Sequence, residues 1–258
     1  MKTIVCLKRV PHTATKVRMA GPEGGSPPRT IQVQGVEFTM SPYDEIALAE
    51  AVRLKEAAGA GEVTAVSVGS DDAQAILRTS LAMGADQALL LRAPAPTGLE
   101  LDGWQVASAL AAALAERSFD LLAFGRLAAD DQGSQVGTLT ARLLGIPSVA
   151  DVTRVELREG HARFHHLIDG RVEVVECRLP AAMTAQKGLI EPKYPSIKQI
   201  MTAKKKPLDV VEARLPEPVL EPVSLELPPP RKPGRIVGTG PEAAPELVRL
   251  LREEARVL

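Results

Sequence analysis

The sequence predicts an α/β protein: an open parallel sheet with helices on both faces, then antiparallel hairpins and an extended C-terminal arm with a final helix. Three observations carry this. Up to about residue 150, short apolar runs alternate with helical patterns at intervals of roughly 25–30 residues, a spacing that implies right-handed crossovers. From Val152 to Cys177 the period drops to two, with turn signals at Glu159-Gly160 and Asp169-Gly170. Beyond Lys206 prolines accumulate and periodicity is lost until Pro241.

Taken in order, Ile4–Leu7 reads as the first strand, followed at once by Lys8-Arg9. Residues 11–40 are irregular and rich in Gly and Pro, with room for a hairpin between Lys16–Met19 and Thr30–Val33. Ser41 is placed to cap a helix that Pro42, Asp44 and Glu45 favour at its start, with Ile46, Ala49, Val52 and Leu54 as its buried side and Gly59 as its stop. Val63–Val68 is the second strand, and a helix capped by Ser70 or Asp71 runs to about Met83. Gln87–Leu91, a helix over 103–116, Leu121–Phe124, a helix over 136–144 and a short strand at 148–150 complete the parallel part. Three hairpin strands follow (152–157, 162–168 and 172–177), with another possible strand over 179–184. The expected organisation is a domain over 1–206, including a loop at 188–206, and an arm with a final helix over 207–258.

Composition excludes several classes. A net charge of −1 supplies no general attraction for nucleic acid or a membrane surface. Cys6 and Cys177 form no C-x-x-C pair, which leaves zinc and thioredoxin-like chemistry unsupported and favours a reducing compartment. Met1-Lys2-Thr3 leads directly into strand pattern without a signal or transit segment, and no apolar run could span a membrane, so a cytoplasmic protein, or a processed form of a targeted one, is expected. His161, His165 and His166 lack a third ligand at useful spacing and read as solvated hairpin residues. Gly24-Gly25-Ser26 is followed by prolines rather than a helix, and neither a P-loop nor a G-x-S-x-G elbow occurs.

In open parallel sheets, ligands bind beyond the carboxyl ends of the strands. Those ends are Lys8-Arg9, Val68-Gly69 and Gly125-Arg126, with Ser41-Pro42 close behind the first. The stretch from Phe119 to Gly137 is the most suggestive: an apolar strand, a break at Gly125, small and acidic residues, and a helix start. Glycine there would let backbone approach a ligand, and the first helical turn offers amides to an anion, although most such turns bind nothing. Asp130 and Asp131 read either as helix-end charges or as a magnesium or acid–base pair. Lys204-Lys205-Lys206 reads as a solvated basic run. The Pro, Tyr, Ile and Met residues beside it suit a docking loop in which positive charge steers an acidic partner.

Several segments, in order along the chain, resemble the beta subunit of electron transfer flavoprotein. They are Lys8–Val10, Met40–Ile46, Glu50–Glu56, Arg78–Asp86, Phe119–Gly137 and Glu191–Lys206, with the likeness weakening over 14–30 and after 207. The resemblance implies an adenine-nucleotide-binding, Rossmann-like fold in a heterodimer with an alpha subunit that holds most of the FAD. It implies electron uptake from dehydrogenases, typically acyl-CoA dehydrogenases, and delivery to a membrane quinone oxidoreductase, with no substrate turnover by this chain.

By matching positions, a structural AMP would be contacted by Cys6, by Ser41, Pro42 and Asp44, and by Val68. The contacts would continue along Gly125, Arg126, Leu127, Ala128, Ala129, Asp130, Asp131, Gln132, Gly133, Ser134, Gln135 and Val136. Tyr43 matches an aromatic that approaches the flavin. Ile197 matches the apolar anchor of a dehydrogenase-docking loop, with Tyr194, Ile200 and Met201 around it. Leu167 stands where some relatives carry a Glu that regulates partner release. Relatives that hold a second FAD in place of AMP tend to read Asp-Gly-Asp where this chain has Asp130-Asp131-Gln132, although Val136-Gly137 resembles that form. The rival readings are an ATP-cleaving enzyme of the same fold and a stand-alone nucleotide sensor.

Overall fold

A computed structural model of the chain describes residues 1–20, 30–94, 101–220, 223–230 and 233–258. Residues Met1–Leu225 form one compact unit and Glu226–Leu258 a second. Gly24-Gly25-Ser26 lies outside the described residues.

In chain order the first unit contains β1 (Lys2–Cys6), β2 (Arg9–Pro11), β3 (Met19–Ala20), β4 (Thr30–Ile31), β5 (Phe38–Met40), α1 (Pro42–Ala57), β6 (Glu62–Gly69) and α2 (Gln74–Met83). It continues with β7 (Gln87–Arg92), α3 (Gly103–Leu114), β8 (Leu121–Gly125), α4 (Val136–Leu144), β9 (Ser148–Arg158), β10 (His161–Ile168) and β11 (Arg171–Arg178). β12 (Ala181–Ala185), α5 (Ile197–Ala203) and β13 (Leu208–Glu212) complete it.

One nine-stranded sheet runs in the order β11-β10-β9-β12-β8-β1-β6-β7-β13. The strands from β9 to β13 across that order pair in parallel, while β9, β10 and β11 form an antiparallel meander. The alternation of strand residues divides the core in two. Val5, Leu7, Ala65, Leu90, Leu121 and Ala123 pack with α1 and α2 on one face. Ile4, Cys6, Val66, Leu89, Leu122 and Phe124 pack with α3 and α4 on the other. The chain moves outward from β1 through β6 to β7, then returns to place β8 on the opposite side of β1. This reversal makes the gap between β1 and β8 the topological switch point, where open sheets form ligand crevices.

The structure refines several expectations. The buried side of α1 is Ile46, Ala47, Leu48, Ala51 and Leu54, because small residues let the helix sit close to β1 and β8. Glu50 is buried there too, gripped by Arg53 at 2.6 Å. The strand expected at 148–150 and the first hairpin strand are one, β9, which pairs in parallel with β12 and antiparallel with β10. Asp151, at φ 52°, lies at the register shift within the pairing with β12, between Val149 and Val152. The possible strand at 179–184 is β12, buried at every position in mid-sheet. Residues 208–212 of the proline-rich stretch add β13 to the far edge beside β7, a place where nearby prolines are tolerated. The hairpin at 16–33 is reduced to the two-residue pairing of β3 with β4.

The second unit holds a short turn at Pro241–Ala243 and α6 (Ala244–Glu253). Within α6, Arg249 binds Glu246 and Glu253 at 2.7 Å each, while Leu247 and Val248 are exposed. Among the described residues no helix is long and apolar enough to cross a membrane.

Candidate functional site

At the switch point the first turn of α1 points a carboxylate between two strand ends. Asp44 Oδ2 accepts from the Lys8 amide at 2.7 Å, and Oδ1 accepts from the Gly125 amide at 3.0 Å. The side chain therefore joins the carboxyl ends of β1 and β8, which diverge here. Burial pushes the Asp44 carboxyl up to about 7, against the pull of its two backbone donors and of Lys8. Gly125 has a steric reason to be glycine: a Cβ there would lie 2.7 Å from the Tyr43 carbonyl carbon and 2.8 Å from the Asp44 nitrogen. Its missing side chain admits the start of α1.

Ser41 stands at the start of α1, but its side chain does not cap the helix. Its hydroxyl donates to the Leu127 carbonyl at 3.4 Å, and its amide to the Lys8 carbonyl at 3.0 Å. Cys6 is buried, with burial and then Asp44 holding its thiol well above the usual range and therefore neutral. Val68 is half-buried at the end of β6, Tyr43 is half-buried and Pro42 is exposed.

The loop after β8 is held by its own polar groups. Lys8 Nζ binds Asp130 at 2.8 Å and Asp131 at 2.9 Å. Asp131 also accepts from the Gly133 amide at 2.8 Å, and the Gln132 amide donates to the Ala128 carbonyl at 3.1 Å. Gln132 and Ser134 both take left-handed backbone, at φ 52°. Arg126 forms an ion pair with Asp151 at 2.9 Å. Leu127, Ala128 and Ala129 are half-buried, and Gln132 to Gln135 are exposed. Val136 opens α4, and Gly137 lets that helix approach the sheet, since a Cβ would meet Phe124 and Thr184 at 3.1 Å. The switch point thus gathers Cys6, Ser41, Asp44 and Gly125 to Val136 at one end of the sheet, with Val68 one strand away.

The apolar segment past β12 is separate from this rim. Ser196 starts α5 with a capping box, accepting from the Gln199 amide at 3.4 Å while Gln199 Oε1 accepts from the Ser196 amide at 2.8 Å. Ile197 is 81% and Tyr194 82% exposed; Ile200 and Met201 are also exposed. Lys204 and Lys205 face solvent, but Lys206 does not belong to a solvated run. Its amine donates to the Leu81 and Ala85 carbonyls, at 3.0 and 2.5 Å.

Among the described residues no group of three or more His, Cys, Asp or Glu could hold a metal. His166 instead pairs with Glu173 at 2.8 Å, and His165 Nε2 is buried 3.5 Å from Glu156 without a hydrogen bond. Leu167 is exposed on the outer hairpin. Neither the strapping role of Lys8 nor the carbonyl bonds of Lys206 follows from the sequence pattern. Their one sequence signal is a basic residue beside a strand or helix end, and such residues usually face water.

A family model described as the electron transfer flavoprotein domain matches residues 29–216. The chain is 39% identical over 266 residues to the electron transfer flavoprotein subunit beta of Bacillus subtilis (strain 168), covering all of both chains. It is 35% identical to that of Syntrophomonas wolfei, covering all of this chain and 98% of the relative. It is 37% identical to that of Sus scrofa, covering all of this chain and 99% of the relative. With the parallel sheet, its switch point and these full-length matches in agreement, the chain belongs to the electron transfer flavoprotein beta-subunit family.

Proposed function

We propose that this electron-transfer flavoprotein subunit works in a heterodimer with an alpha subunit, accepting electrons from dehydrogenases such as acyl-CoA dehydrogenases and passing them to a membrane quinone oxidoreductase. FAD, held mainly by the alpha subunit, supplies the redox chemistry. This chain contributes a scaffold, a wall and a docking surface, with no substrate turnover of its own, in a cytoplasmic setting. Tyr43, half-buried beside the strand ends, supplies the wall. The arm beyond β13 and the final helix supply contact with the alpha subunit.

The scaffold is stabilised by a structural AMP at the rim of β1, β6 and β8. The residues fit such a group. Gly137 seats α4 against Phe124 and Thr184, so the first-turn amides beginning at Val136 lie beside the strand ends, where an anion is favoured. The amides of Lys8 and Gly125 serve Asp44, so they are not the phosphate donors. Lys8 holding both Asp130 and Asp131 weighs against an ATP-cleaving reading, because that pair is spent on loop structure.

The observation that carries the docking role is Ile197, a large apolar side chain 81% exposed at the start of a capped helix. Burying it in a partner pocket would contribute roughly 1.5–3 kcal/mol, suited to a transient contact. Co-purification with the alpha subunit tests the reading: the complex should be yellow and release AMP on denaturation, and Ile197→Ala should slow electron transfer from the dehydrogenase at unchanged flavin content. A colourless protein that hydrolyses ATP would sink it.

A further inference from the structure

The docking helix α5 is seven residues long, too short to persist alone in water. Burial does not hold it, since Ala203 is its one buried residue and Ile197, Ile200 and Met201 face solvent. What holds its far end is a reciprocal set of hydrogen bonds with α2. Arg78, from the middle of α2, donates to the Ala203 carbonyl at 3.3 Å and the Lys206 carbonyl at 2.8 Å. Lys206 reaches the other way, to the Leu81 and Ala85 carbonyls around the end of α2. Each basic side chain thus serves carbonyls at the C-terminal end of the opposite helix, where intrahelical donors run out and positive charge is favoured.

We infer that Arg78 and Lys206 are positioning residues that clasp α5 to α2 and so set the affinity of the docking surface for its dehydrogenase without touching that partner. This rests on the docking role proposed for α5. Beyond Lys206 the chain is already fixed, for the Ala88 amide donates to the Pro207 carbonyl at 3.0 Å and β13 pairs with β7. Among the described residues, the start of α5 is held by its Ser196–Gln199 capping box. The clasp therefore decides whether Ile197, Ile200 and Met201 stand as one preorganised surface or must be ordered on each encounter, an entropic loss that weakens binding. Lys204 and Lys205 take no such part and remain available to steer an acidic partner.

The experiment uses the flavin-loaded complex with the alpha subunit, comparing Lys206→Met, Arg78→Met and Lys204→Met, with Ile197→Ala as the docking control. Hydrogen exchange of amides 197–203 should quicken about tenfold in the first two variants and stay at the wild-type rate in Lys204→Met. With an acyl-CoA dehydrogenase as donor, Lys206→Met and Arg78→Met should raise KM for the complex about threefold or more, with kcat within about twofold. Lys206→Arg, which keeps the charge and reach, should restore most of both properties.

Unchanged exchange in both Met variants overturns the clasp. Quickened exchange with an unchanged KM, where Ile197→Ala does raise KM, overturns its link to affinity. If Ile197→Ala itself leaves KM unchanged, the docking role fails, while the exchange result still decides whether the clasp exists. Should Lys206→Met give no complex, Arg78→Met opens the same junction from the other helix and carries the test.

Discussion

Replacing Asp44 by Asn tests the switch point most directly. Asp44 is buried between two strand ends, and its carboxyl is pushed up to about 7 by that burial. The unfolded chain releases this proton near 3.8. Between the two values the folded state holds a proton that the unfolded state has lost, so stability falls as pH rises, by about 1.4 kcal/mol per pH unit. The contribution is full below the unfolded value and lost as pH rises through 7. Integrated from pH 5 to pH 8, the loss is roughly 2–3 kcal/mol. Asn keeps the volume and one acceptor but turns an N–H donor toward an amide, so the variant should be less stable than wild type at pH 5, and that deficit should shrink as pH rises. Melting temperatures of wild type and Asp44→Asn at pH 5, 6, 7 and 8 would show it, because other groups cancel in the difference. For a chain of this size about 2–4 °C accompanies each kcal/mol, so the gap should move by about 5–10 °C. A gap independent of pH would refute the reasoning: the amides of Lys8 and Gly125 would then have outweighed burial and kept the carboxylate ionised throughout.

Two other perturbations probe the same end of the sheet. Gly125→Ala forces a Cβ against the backbone of Tyr43 and Asp44 and should destabilise the chain by about 1–3 kcal/mol; an unchanged melting temperature would deny that close approach. Asp102 caps α3 by accepting from Gln105 and also accepts from the Val219 and Leu220 amides at 2.7 and 3.1 Å. Asp102→Ala should lose about 1 kcal/mol and expose residues 216–220 to protease, and cleavage at the wild-type rate would show that the turn is held by other contacts.

Local pattern carried most of the fold. Apolar runs such as Val63–Val68 and Leu121–Phe124 are strands because only residues buried on both faces read that way, and Gly145 ended α4 in the left-handed backbone a helix stop favours. Pairing was less legible because it is nonlocal. Ala181–Ala185 has little apolar bulk, yet it lies in mid-sheet, where α1 and α4 approach closely and larger side chains would not fit. Leu208–Glu212 is a strand only because β7 leaves an edge for it. Candidate site residues were easier to locate than to assign. Strand ends and the helix start marked the rim, while the partners of Asp44, Lys8 and Lys206 lie in segments distant in sequence.

That distinction changes the meaning of the site residues. A rim position can touch a ligand or hold the rim open for it, and sequence matching treats the two alike. Asp44 and Gly125 hold the rim itself: one supplies the bond between β1 and β8, the other the space in which α1 makes it. Lys8 joins them through its amide and also ties down Asp130 and Asp131 through its amine, so one residue connects the switch point to the loop. In the proposed AMP-bound form, direct recognition of the phosphate would fall to the first turn of α4, beginning at Val136. On that proposal, loss of Lys8 or Asp44 weakens nucleotide binding indirectly, by letting the strand ends and the loop move relative to that helix.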